Sequence, residues 1–114
     1  MQRIRVPSGA NAYEVQRTQL TGSDFELRFA WNGRAESWTL DIGAIGDESQ
    51  AEPTPILAGA KLFIGHDLLG RCNHPMRPLG SLRAYSNDGS AQHPGLTDFG
   101  VRCFLAYLEP GEAL

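Results

Sequence analysis

The sequence predicts a mainly β protein: a small antiparallel sandwich or partly closed barrel of about seven short strands, with room for one short helix. Three observations carry this prediction. Apolar and polar residues alternate at the two-residue period of a strand in two separate stretches. Turn-forming residues recur between those stretches, with 13 glycines and 7 prolines in 114 residues, a content above average usage but below that of low-complexity chains. No long segment carries a convincing helical period. An α+β fold, with a short helix near Lys61–Leu69, is the alternative.

The elements follow in order. Gln2–Val6 and Ala12–Leu20 alternate weakly and are predicted as strands, the second with Tyr13, Val15 and Arg17 on one parity. Phe25, Leu27, Phe29 and Trp31 share one parity against Glu26 and Arg28, so this run has a buried face and a wet one. Asn32-Gly33 follows, a dipeptide suited to the positive φ of a tight turn, and Trp38, Leu40 and Ile42 resume the alternation. Residues 24–43 therefore read as an antiparallel hairpin whose connection, longer than two residues, has room for a bulge.

From Gly43 to Pro55 the composition is that of a loop. Over Ile56–Gly65 a short helix competes with two short strands around a turn, and the spaced glycines favour strands. His74-Pro75 and Arg77-Pro78 belong to a loop, Ser81–Tyr85 is a short strand, and Asn87-Asp88-Gly89 opens a turn. In Val101–Leu108 both parities are largely apolar after Arg102, the mark of a strand buried on both faces at the centre of a sheet. One domain over residues 1–114 fits this length.

Charge narrows the possible partners. Ten basic against 13 acidic residues give a net charge of -3, which lacks the concentrated positive field of a phosphate-backbone binder; no nucleic-acid partner is expected. The basic N-terminus leads into no apolar stretch, so no secretory signal is expected, and no run approaches the ~20 apolar residues of a membrane span. Cys72 and Cys103 lack a CxxC partner and are expected as reduced, structural thiols.

The chemistry-bearing residues form no catalytic set. His66, Asp67, Cys72 and His74 lie within nine positions but without the close ligand pairs of a zinc site. No GxSxG elbow and no phosphate-binding glycine motif is present. Trp31 and Trp38 could line a sugar- or base-stacking surface, but their parity with Phe25–Phe29 and Leu40–Ile42 favours core packing. No cofactor, metal or catalytic residue is assigned, and the chain reads as an interaction or structural module rather than an enzyme. A small ligand- or carbohydrate-binding β module is the alternative, with a small metal-dependent hydrolase behind it.

The order of motifs adds a resemblance. Phe25-Glu26-Leu27-Arg28-Phe29-Ala30-Trp31-Asn32, then Trp38-Thr39-Leu40-Asp41-Ile42, then Pro55-Ile56-Leu57-Ala58-Gly59 resembles the small baseplate plug family of contractile-tailed phages. Downstream, Leu62, Gly65 and Asp67-Leu68-Leu69 look like that family's middle segment. Pro78-Leu79-Gly80-Ser81-Leu82 is similar to its next strand, and Asp98-Phe99-Gly100 with Leu105-Ala106-Tyr107 to its ending. About four fifths of the chain is covered; each motif is common, and their order and spacing carry the match. The connection Ile45–Pro53 is longer and more acidic than the tight turn expected there.

The resemblance implies a minor structural component of a contractile tail baseplate, seated centrally near hub and tube, assembled in the host cytoplasm. Its partners would be baseplate, hub, spike or tube proteins, met through protein–protein contacts. The candidate contact residues, polar or kinked positions beside the motifs, are Asn32, Arg34, His66, Asp67 and Arg71.

Overall fold

Seven strands form two antiparallel sheets in the computed structural model, which describes residues 2–7, 12–45, 53–70, 72, 74–75, 77–89, 94–95, 99 and 101–112. In chain order they are β1 (Gln2–Ile4), β2 (Tyr13–Leu20), β3 (Ser23–Asn32), β4 (Ser37–Ile45), β5 (Thr54–Lys61), β6 (Ser81–Ser86) and β7 (Cys103–Leu108). One sheet has the order β2-β3-β4-β5, the other β1-β7-β6. The architecture is that of a small sandwich; the two sheets do not close into a barrel, and no helix occurs among the described residues.

The central hairpin follows its alternation. Phe25, Leu27 and Phe29 of β3 pair with Ala44, Ile42 and Leu40 of β4, and all six are buried. The ladder runs without a register break from Asp24↔Ile45 to Asn32↔Ser37, so the four residues Gly33–Glu36 close the hairpin without a bulge. Its positive φ falls on Glu36, at 48°, rather than on Gly33. β4 also carries on through Gly43 to Ile45, where composition predicts loop.

The bulges lie one strand over. Against β4, Ile42 pairs with Leu57 and Leu40 with Ala60, so Ala58 and Gly59 together face Asp41. Gly59 takes φ +66° there and donates its N–H to Asp41 Oδ1 at 2.6 Å. This local kink keeps residues 54–61 one strand, where the sequence offers a short helix or two strands around a turn.

β7 is the middle strand of its sheet, as its doubly apolar pattern predicts. Cys103, Leu105 and Tyr107 face the core with Leu82, Ala84 and Ile4. On its other face Ala106 is buried between its ladder neighbours Arg3 and Arg83. The strand starts at Cys103, not Val101, because Asn87 pins the preceding turn: its N–H donates to Arg102 O at 2.8 Å and its Nδ2 to Val101 O at 3.0 Å.

Leu62, Leu69 and Phe99, from the connections, complete the core. Phe99 sits edge-on to Phe29, with ring centroids 5.9 Å apart, and lies 5.6 Å from Trp38. The acidic connection between Ile45 and Pro53 lies outside the described residues over 46–52.

Candidate partner-contact surface

Asn32 ends β3, and Arg34 sits in the β3–β4 connection. Asn32 Oδ1 accepts the N–H groups of Arg34 at 3.1 Å and Ala35 at 3.2 Å, so its side chain supplies acceptors that the turn itself lacks. That bond presents Arg34, exposed, at the tip.

The other candidates lie on the segment that crosses from one sheet to the other. Leu62 N donates to Trp38 O at 3.0 Å, Gly65 N to Ala84 O at 2.9 Å and Leu68 N to Leu82 O at 2.8 Å. The crossing starts beside β4 and ends along the outer edge of β6. Gly65, at φ +82°, makes the corner. His66 follows, exposed, its ring 5.7 Å from that of Phe63. Asp67 turns the other way: its Oδ1 accepts the N–H of Leu69 at 3.0 Å and of Leu82 at 3.1 Å, tying the crossing to β6. Arg71 lies outside the described residues.

The structure thus places Asn32 at the end of β3 beside the loop that carries Arg34, sets His66 against Phe63, and turns Asp67 to the backbone of β6. Tyr13, Lys61 and Phe63 were not singled out by sequence reasoning. Their signal was the parity of Tyr13 with Val15 and of Lys61 with Phe63 around the apolar Leu62. Lys61 pairs with Thr39, Thr39 with Ala30 and Ala30 with Tyr13, so all four share the outer face of the larger sheet. The Lys61 ammonium lies 5.0 Å from the centre of the Phe63 ring. Further along that face, Arg17, Glu26, Arg28 and Asp41 line an open cleft of about 540 Å³, with Glu26 and Arg28 paired at 3.4 Å.

The tryptophans are not arranged for stacking on a sugar. Trp38 is wholly buried, its Nε1 donating to Gly95 O at 2.9 Å, and Trp31 packs edge-on against it at 5.6 Å. Cys72 and Cys103 are both buried and not joined to each other. Among the described residues no three of His, Cys, Asp and Glu converge as a metal site would require.

What gathers at this end of the surface is aromatic, cationic and amide side chains. Comparison with known families matches residues 1–110 to the family described as cyanophage baseplate Pam3 plug gp18. The chain belongs to that baseplate plug family. Comparison with curated proteins finds no match. A baseplate plug is a structural part of a phage tail, so its place is the virion tail baseplate and its associates are other baseplate or tail proteins. For this plug-family chain, Asn32 and Asp67 hold local backbone, while Arg34, His66 and Phe63 stand outward.

Proposed function

We propose that the chain is the central plug of a contractile tail baseplate, seated near hub and tube, that it acts through protein–protein contacts and not by catalysis, and that it is incorporated as a single domain while the tail assembles in the host cytoplasm. The family match over residues 1–110 carries this reading. The fold supports it: a core built from both sheets and the loops between them gives a stiff body, and stiff bodies lose little ordering entropy when they are packed into an assembly. The contact residues are Asn32, Arg34, His66, Asp67 and Arg71, with Asp67 acting through the shape of its segment.

Co-expression of the tagged chain with the tube and hub proteins of its own tail, followed by size-exclusion chromatography at moderate salt, tests the reading. Stable co-elution with either protein is expected. A folded chain that elutes alone in every combination overturns it.

A further inference from the structure

Strand addition at a sheet edge is one recurring way a β domain recruits a neighbour, and the edges of this one are blunted. β1 has three residues. β5 carries two register shifts, together with Pro55 and Gly59. The outer edge of β6 is covered by the crossing segment, through Gly65 N–Ala84 O and Leu68 N–Leu82 O. β2 is regular, but its core-facing parity carries Glu14 and Gln16; Arg5 pairs with Glu14 at 3.4 Å and accepts a hydrogen bond from Gln16 on its carbonyl. Inward polar side chains of this kind guard an edge against pairing.

The outer face of the larger sheet is different. Tyr13 (54% exposed), Val15 (40%) and Phe63 (43%) are three of five exposed large apolar side chains among the described residues. All three lie on that face, toward its Asn32 end: Tyr13 pairs with Ala30, Val15 with Arg28, and Phe63 follows Lys61 two positions on. The row from Tyr13 through Ala30 and Thr39 to Lys61 spans about 14 Å across four strands and ends at a cation laid on an aromatic ring. Charged residues begin in the next row, where Arg28 and Asp41 stand beside Val15, and continue with Arg17 and Glu26.

Two cations, Lys61 and Arg34, stand at this end. Arg5, Arg28 and Arg102 pair with Glu14, Glu26 and Asp88. No ion pair joins Arg34 or Lys61 to a carboxylate among the described residues. Of the two carboxylates nearby in sequence, Asp67 holds backbone N–H groups with its Oδ1, and Glu36 has a partner of its own. An apolar centre with unpaired cations beside it is complementary to an apolar surface bordered by carboxylates.

We propose that the Tyr13–Val15–Phe63 face is the docking surface of this plug and that its occupant is an acidic-rimmed apolar patch of a neighbouring baseplate protein, with carboxylates meeting Lys61 and Arg34. This rests on the plug reading above and names the surface and the partner chemistry that reading leaves open.

The test uses the full chain co-expressed with the tube and hub proteins of its tail, with co-elution quantified at about 50 and about 300 mM salt. Tyr13→Thr keeps strand propensity, and Lys61→Glu reverses the charge of a half-buried side chain; both are checked for wild-type melting before use. Each is expected to weaken co-elution at least about tenfold. Lys61→Arg should retain it, and Lys61→Glu should remove most of the salt dependence. Leu79→Ser and Val101→Ser, which remove still more exposed apolar groups elsewhere, should change nothing.

Wild-type co-elution that survives Tyr13→Thr and Lys61→Glu overturns this inference and leaves the plug reading standing. A wild-type chain that binds no tail protein overturns both. A dimer of the chain alone that Tyr13→Thr dissolves makes a second copy the occupant and overturns the acidic partner.

Discussion

The phenol oxygen of Tyr107 lies 2.5 Å from Oγ1 of Thr21, a contact between residues 86 positions apart in the chain. Thr21 and Gly22 close the β2–β3 hairpin with φ of +49° and +79°, a two-residue turn in which both residues occupy the left-handed region. Glycine takes that conformation readily; a β-branched residue does so only when its surroundings hold it there. Thr21 Oγ1 donates to Glu109 Oε2 at 2.8 Å, which leaves the Tyr107 hydroxyl to donate to Thr21 while accepting the N–H of Gly80 at 2.8 Å. One buried hydroxyl thus joins a turn of the larger sheet to the middle strand of the smaller one.

Replacing Tyr107 by Phe removes the shared hydroxyl and leaves the Gly80 N–H without its acceptor. The expected cost is about 1–3 kcal/mol. In urea denaturation it should appear as a lower midpoint with an unchanged slope. A midpoint equal to wild type would show that the hydroxyl holds nothing.

Gly80 is fixed by close approach. A Cβ built there would lie 1.9 Å from Leu108 O and 2.8 Å from the Tyr107 ring, and the nearest atom is backbone that cannot swing aside. Gly80→Ala is expected to destabilise by about 3 kcal/mol or more, read as loss of soluble protein or a large fall in melting temperature. Wild-type melting of that variant would mean the strand end at Leu108 yields easily.

Asp67 separates a structural from a contact role. Asp67→Ala orphans the N–H groups of Leu69 and Leu82, at a cost of about 1–3 kcal/mol, whereas Asp67→Asn keeps an acceptor oxygen and should lose well under half of that. If both variants melt like wild type while binding of tail proteins falls, Asp67 touches a partner directly.

The two tryptophans make a spectroscopic test of the core. Trp31→Phe leaves Trp38 as the one emitter, and because Trp38 is wholly buried it should emit at short wavelength and resist quenching by acrylamide. Red-shifted, readily quenched emission would return the pair to the role of a ligand-stacking surface.

Much of this molecule was legible in its sequence because strand alternation is a local property. Phe25 to Ile42 declared a hairpin with one buried face, and the doubly apolar run ending at Leu108 declared a central strand; the structure has both. The β3–β4 connection was legible as a loop carrying Arg34, although Asn32 belongs to β3 and the positive φ falls on Glu36. The order of motifs was enough to point to the baseplate plug family, because spacing along a chain survives in a sequence even where each motif alone is common.

Tertiary structure decided the rest. Thr21 tolerates a left-handed conformation because Tyr107 and Glu109 reach it from the far end of the chain. β5 stays one strand because Asp41 of its neighbour captures the N–H of Gly59 at the bulge. Asp67 faces inward because β6 passes beside it, and Tyr13 shares a face with Lys61 only once three ladders have brought β2 and β5 into the same sheet. Composition and periodicity fix which side of a strand is wet. Which distant residues share that side depends on pairing and register, which no local stretch of sequence encodes.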